Sequence, residues 1–220
     1  MKRYLLVCFC LFIGLISLLS GVKVNASFSL IGKIIVIDIG HGGKDPGSIV
    51  SGIQEKNINL KIGKYLESEL VKNGATVIMT REGDYDLSKP NAIWRKKSDF
   101  DNRIKLINNS NADLYVSIHL NYLEDKSYKG PQIFYDTNNK SNEKIAISMQ
   151  SSLNKYLNGN REIKKISKTI YMYNKLIVDG VLIECGFLSN NSERTKLITN
   201  KYQKEIAKAI SNGIIDFYNN

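Results

Sequence analysis

The chain contains two histidines, and both stand where an apolar run gives way to polar residues. His41 follows Ile34-Ile35-Val36-Ile37-Asp38-Ile39-Gly40, and His119 follows Leu114-Tyr115-Val116-Ser117-Ile118. Glu184 closes a third run, Val181-Leu182-Ile183. In open α/β sheets ligands bind beyond the carboxyl ends of the strands, so these three groups are expected to meet at one crevice. Glu55 reaches the crevice by another route. It opens a helical pattern that returns antiparallel to the first strand, which brings the helix N-terminus to the same sheet edge. Two imidazoles and one carboxylate, with a fourth position left to water, suit a catalytic zinc ion. Such an ion acidifies water and polarises a carbonyl. A second carboxylate, outside the donor set, must then take the proton and deliver it to the leaving group. His41, Glu55 and His119 are the candidate ligands. Glu184 is the candidate acid and base, because burial at the end of an apolar run raises a carboxyl pKa.

Plainer roles exist for each residue alone. Glu55 could be a first-turn carboxylate favoured by the helix dipole. A single histidine at a strand end is ordinarily structural, but two such histidines with none elsewhere weigh against that. Gly40-His41-Gly42-Gly43-Lys44 lacks the GxxxxGK[ST] order, no GxGxxG is present, and no HExxH helix occurs. Cys185 follows Glu184 in a strand, so it faces the other way and reads as a core residue.

The elements that must position these groups follow from periodicity. Ile34 to Ile37 show no alternation and read as a buried strand. Ile58, Ile62, Leu66 and Leu70 recur every four residues, which predicts a helix over about 54–73, stopped by Gly74. Ala75 to Thr80 is the next strand, so strand, helix and strand form a parallel βαβ unit. Residues 81–98 are polar and read as a long loop with at most a turn of helix. Trp94 is expected to pin that loop to the core rather than to touch a ligand. Asp99 is expected to cap a short helix carrying Ile104 and Ile107. Strands follow at 114–118 and 132–135, then a helix over 141–157 capped by Ser141 or Asn142. After strand 181–184, Asn190 is expected to cap a short helix through Leu197, and a last helix covers about 202–217. The expected fold is one α/β domain, a mostly parallel or mixed sheet with helices on both faces.

The first residues do not belong to that fold. Met1-Lys2-Arg3 is basic, Tyr4 to Leu19 is uncharged and apolar, and Val24-Asn25-Ala26 offers a cleavage site. Residues 1–26 are read as an export signal, or as an N-terminal anchor if uncleaved, leaving 27–220 as the catalytic domain. Loss of Lys2, Arg3 and Lys23 lowers the net charge from +10 to +7. An exported basic chain suits an anionic wall or membrane surface. Nucleic acid is not expected, because the lysines are scattered and the compartment is wrong. Cys185 alone remains outside the signal, so no internal disulfide is available.

Together these residues resemble the zinc-dependent N-acetylmuramoyl-L-alanine amidases of bacterial cell walls. The likeness rests on Ile37-Asp38-Ile39-Gly40-His41-Gly42-Gly43-Lys44-Asp45-Pro46-Gly47 and on Gly52-Ile53-Gln54-Glu55-Lys56. It continues through Thr80-Arg81-Glu82, Ser117-Ile118-His119-Leu120-Asn121 and Glu184-Cys185-Gly186-Phe187-Leu188-Ser189-Asn190. The resemblance implies Zn2+ on His41, Glu55 and His119, with Glu184 catalytic and Asp38, Ser117 and Asn121 supporting the site or touching substrate. It implies hydrolysis of the amide between the lactyl group of N-acetylmuramic acid and L-alanine of the stem peptide. Ile39 departs from the family's usual proline, which alters loop stiffness and no ligand. About ten residues separate Asn121 from Pro131, too few for the helical plug of some relatives.

The segment from Thr80 to Asn121 is most similar to the sporulation branch of the family. That implies work on spore cortex peptidoglycan, between the forespore and mother-cell membranes, as a first step toward muramic-δ-lactam. The rival readings are a zinc peptidase cutting within the stem peptide and a non-catalytic wall-binding protein. No wall-binding repeat is present, so either the uncleaved N-terminal anchor or an envelope partner protein is expected to place the enzyme, and the partner could also steady its zinc site.

Overall fold

A computed structural model of the chain describes residues 28–220. The expected signal, 1–26, lies outside the described residues. Strand β1 (Ile34–Ile39) is followed by a two-residue hairpin, β2 (Ile49–Val50) and β3 (Ile53–Gln54), that the periodicity does not reveal. Helix α1 (Glu55–Lys72) and β4 (Thr76–Met79) complete the parallel βαβ unit. Then come α2 (Arg95–Asn108), β5 (Leu114–Asn121), β6 (Gln132–Tyr135), α3 (Lys140–Leu157) and β7 (Lys164–Lys165). A 3-10 turn at Tyr173–Lys175 leads to β8 (Gly180–Phe187), α4 (Asn191–Leu197) and α5 (Asn200–Asn219). The sheet order is β4-β1-β5-β8-β6-β7. All its pairings are parallel except β6 against β8, so the sheet is mixed.

Side chains alternate across this sheet, as the pleat requires. Ile35, Ile37 and Ile39 share one face with Val116, Ile118, Leu120, Val181, Ile183 and Cys185. Helices α1, α3 and α5 cover that face with Ile58, Ile62, Leu66, Ile145, Met149, Ile206 and Ile210. Val36, Tyr115 and Leu182 face the other way, against Ile107 of α2 and Ile166, Met172 and Tyr173. Helices therefore lie on both faces, α1, α3, α5 and the short α4 through Leu197 on one, and α2 with the 166–176 segment on the other. Each fully buried Leu or Ile on these faces contributes roughly 1.5–3 kcal/mol by leaving water. Among the described residues no helix is long and apolar enough to cross a membrane.

Several local expectations are corrected. Helix α2 starts at Arg95, four residues before Asp99, so Asp99 caps nothing. Its carboxylate accepts from Leu87 N at 2.7 Å and Arg103 Nε at 2.9 Å, and this demand overrides a capping role. Trp94 does not pin the loop; it is 77% exposed at the α2 boundary. Polar contacts hold the loop instead, including Arg95 to Asp86 at 2.6 Å and Asn102 Nδ2 to Leu87 O at 2.6 Å. Ser141 and Asn142 do not cap α3. The Ser141 hydroxyl donates to Asp179, and Asn142 bridges Asp136 and Gly180 N. Asn190 does cap α4, accepting from Glu193 N at 3.0 Å.

Candidate metal centre

Strands β5 and β8 run past the end of β1, because Ile39 pairs with Ile118 and β1 stops there. His119 and Glu184 are therefore inside their strands, on this overhang, rather than at the strand ends. The chain leaves β1 through α1 to β4 on one side and returns through α2 to β5 on the other. The sheet order reverses between β1 and β5, and such a switch point opens a crevice. His41 comes from the β1 loop and closes over that crevice.

The three candidate ligands meet at one atom. Glu55 Oε1 lies 3.1 Å from His41 Nε2 and 3.1 Å from His119 Nδ1. The donor atoms of all three residues fall within 4.8 Å of one another. Glu55 is buried at the start of α1, where Ser48 N, Leu120 N and Asn59 Nδ2 donate to its oxygens at 3.0, 3.0 and 3.2 Å. Burial alone would raise its pKa, but the imidazoles of His119 and His41 hold it well below the usual carboxylate range. Burial likewise works against charge on His41, yet Asp45 and Glu55 push it up to about 9. Asp45 Oδ2 lies 2.9 Å from His41 Nδ1 and is itself held down to about 2 by that hydrogen bond. With Nδ1–H engaged by Asp45, His41 Nε2 is the nitrogen free to ligate, the carboxylate–histidine–metal arrangement. Two imidazole nitrogens and one carboxylate oxygen, oriented in this way, fit zinc.

Glycines make room for this set. A Cβ at Gly40 would lie 2.3 Å from His119 Cε1, and one at Gly47 would lie 2.6 Å from Glu55 Oε2. His41 itself has φ 62°, a left-handed conformation costing a non-glycine residue ~1–2 kcal/mol. The Gly42–Asp45 backbone pair and Arg103 Nη2, which donates to His41 O at 2.8 Å, hold it there.

Glu184 shares the cleft, ≈ 230 Å3, with His41 and His119. Its Oε2 is buried with no hydrogen-bond partner. Burial pushes its pKa up to about 7, against the pull of the His119 imidazole. Asp38 and Ser117 lie deeper. Ser117 Oγ donates to Asp38 Oδ2 at 2.6 Å, and Arg103 Nη1 donates to Asp38 Oδ1 at 2.7 Å. They buttress the site through Arg103 rather than touching the ligands. Asn121 lines the open side of the cleft.

Two arginines escape the sequence reading. Arg81 donates to the carbonyls of Ile39, Gly40 and Lys56, and Arg103 to those of Ile39 and His41. Both are almost fully buried and clamp the backbone that carries His41. The signal for Arg103 was its place on the buried stripe of α2, four residues from Asp99 and four from Ile107. Asp45 was visible only as a member of the glycine-rich motif that follows β1.

The chain as a whole is similar to known proteins. A family model described as N-acetylmuramoyl-L-alanine amidase matches residues 35–216. The germination-specific N-acetylmuramoyl-L-alanine amidase of Bacillus subtilis is 42% identical over 196 residues, 87% of this chain and 82% of the relative. The CwlD amidase from Clostridioides difficile, solved with the GerS lipoprotein, superposes with a TM-score of 0.80 at 39% identity, covering 84% of this chain and 98% of that one. A second amidase, from Clostridium difficile 630, gives 0.74 at 31% identity over 85% of this chain and 97% of its own. The match over residues 35–216 and the 42% identity show that the chain belongs to the N-acetylmuramoyl-L-alanine amidase family.

Proposed function

We propose that this amidase holds Zn2+ on His41 Nε2, Glu55 Oε1 and His119 Nδ1 and uses Glu184 as its proton carrier. Zinc bound there would polarise the scissile lactyl carbonyl and lower the pKa of water. Glu184 takes the proton of the attacking water and gives it to the nitrogen of L-alanine as the C–N bond breaks. A new C–O bond leaves the lactyl carboxylate on the glycan and a free amine on the peptide. The carrying observation is the buried, partnerless Oε2 of Glu184 beside three converging ligand groups. A buried carboxylate oxygen without a partner is costly, and a reacting proton offsets that cost.

The protein is read as exported through residues 1–26 and as acting on spore cortex peptidoglycan, a reading supported by the germination-specific relative. An envelope lipoprotein is its proposed partner, by analogy with the complex of the CwlD amidase. One digest tests the chemistry. Zinc-loaded protein acting on purified peptidoglycan should release stem peptides with a free L-alanine amine, seen by mass spectrometry. Fragments that leave L-alanine on muramic acid would identify a peptidase instead. Turnover on isolated cortex by 27–220 alone, equal to turnover in a whole-envelope extract, would remove the need for a partner.

A further inference from the structure

Beside the cleft runs a second groove, ≈ 260 Å3, between the 44–46 turn and the first turn of α2. It shares Asp45, Lys96 and Asp99 with the cleft, so the two are continuous. Its wall carries Lys44, Arg95 and Lys96 against Asp45, Asp86 and Asp99. The acids are already engaged: Asp45 with His41 at 2.9 Å, Asp86 with Arg95 at 2.6 Å and Asp99 with Arg103 at 2.9 Å. Lys44 and Lys96 are exposed and form no ion pair among the described residues. Away from Lys96 the cleft continues over Ser48, Asn121 and Tyr122, none of them charged. One arm thus carries two lysines without a salt-bridge partner, and the other carries no charged side chain.

The substrate has the same asymmetry. Its glycan arm is built of neutral hydroxyls and acetamides around the lactyl group. Its peptide arm places the first free carboxylate on the second residue, about 7 Å beyond the scissile nitrogen at ~3.5 Å per extended residue. We propose that the groove between the 44–46 turn and α2 is a subsite for that carboxylate, with Lys96 and Lys44 as its counter-charges. The peptide arm then lies along α2 and the glycan arm over Asn121 and Tyr122. This rests on the amidase reading and fixes the direction in which substrate crosses the metal centre. The sequence at the α2 start supports it. Arg95, Lys96 and Lys97 fill the first turn with no acid among them, the end of a helix where cations are least favoured. An anionic ligand removes that conflict.

The test compares two soluble substrates, N-acetylmuramoyl-L-alanyl-γ-D-glutamyl-L-lysine and its D-isoglutaminyl counterpart, which differ only in the α-carboxylate of the second residue. The zinc-loaded wild-type protein should favour the acid roughly three- to tenfold in kcat/KM, mainly through KM. Lys96→Gln with Lys44→Gln should bring that ratio close to one. Lys97→Gln removes the same kind of charge outside the groove, since Lys97 pairs with Asp101 at 2.7 Å, and should keep the ratio. Equal wild-type rates on the two substrates would overturn the proposal. So would a preference that survives the double variant, or one that Lys97→Gln abolishes as well. The Kd of each compound, from calorimetric titration, reads the same acid-to-amide ratio without turnover. A preserved binding ratio with no hydrolysis of either compound would therefore fault the amidase reading and support the subsite.

Discussion

His119 and Glu184 are register partners on adjacent parallel strands, so their side chains leave the same face of the sheet side by side. One joins the ligand cluster and the other does not. His119 Nδ1 is 3.1 Å from Glu55, while Glu184 Oε2 has no partner. In the proposed mechanism, adjacent strands thus separate ligand from proton carrier. Glu184→Gln keeps shape and removes the titrating group. It should retain about one zinc per chain and lose roughly 10²–10⁴-fold in kcat. Elemental analysis and a turnover assay read the two quantities. Zinc loss in this variant would show that ligand and base were assigned the wrong way round.

His41→Ala or His119→Ala should do the reverse. Each removes one of three protein donors, so zinc content after dialysis should fall well below one equivalent. Asp45→Ala is the subtler case. It leaves every donor in place but frees His41 Nδ1, and zinc affinity should drop about 10- to 100-fold. Chelator competition measures it, and unchanged affinity would mean that Asp45 does not set the tautomer.

The metal-free protein should show a pH signature of the empty ligand set. The pKa of His41 is raised in the fold from 6.5 to about 9. A raised value means the folded state binds the proton more tightly, so this stabilisation is fully present below 6.5 and lost as pH rises through 9. The melting temperature of metal-free protein should fall over that window. Zinc displaces the same proton, so its apparent affinity should rise over the same range, by up to about tenfold per pH unit. A flat affinity between pH 7 and 9 would contradict a protonated His41.

Gly40 tests the space around the ligands. Gly40→Ala would drive a methyl to within 2.3 Å of the His119 ring, so the ring must move and the donor set is lost. Zinc content and turnover should fall while the far-ultraviolet circular dichroism stays native. At Gly52 a Cβ meets nothing within 4 Å, and only its φ of 78° resists alanine. Gly52→Ala should therefore cost about 1 kcal/mol of stability and leave zinc untouched. Similar zinc loss in both variants would show backbone strain, not crowding, to be the cause.

The candidate site was legible because histidine is rare in this chain and His41, His119 and Glu184 each follow an apolar run. Two histidines in 220 residues, each following an apolar run, leave few arrangements for a parallel sheet to make. Helix α1 was legible from four-residue spacing alone, since Ile58, Ile62, Leu66 and Leu70 all reach the core. The start of α2 was not. No side chain caps it, and its start is held by contacts with the preceding loop, such as Arg95 to Asp86 and Leu87 N to Asp99. The expected pinning role of Trp94 failed for a related reason: polar contacts already fasten the loop, and the indole remains at the surface. The clamp of Arg81 and Arg103 was hidden because it acts on carbonyl groups, which carry no sequence signature.

That clamp yields the last prediction. Arg103 spends its donors on four groups: Asp99, Asp38, Ile39 O and His41 O, at 2.9, 2.7, 2.6 and 2.8 Å. Lysine offers a charge but no planar fork, so Arg103→Lys cannot reproduce this set. Asp38 keeps some compensation from Ser117 and Thr80, but His41 O loses its donor. Arg103→Lys should therefore fold with a lower melting temperature and a weaker zinc site, because the left-handed turn at His41 is no longer held. Arg103→Met should be worse, at about 3–5 kcal/mol, since it leaves the Asp38 carboxylate buried without its cation. Asp38 supplies an independent readout. Burial raises its pKa, but Arg103, the Ser117 hydroxyl and the His119 imidazole together hold it below 3.8 in the fold. Its contribution is present above 3.8 and is lost as pH falls, and removing Arg103 should move the acid-unfolding midpoint upward. If Arg103→Lys lowers the melting temperature yet binds zinc with wild-type affinity in chelator competition, Arg103 supports the fold and not the metal site.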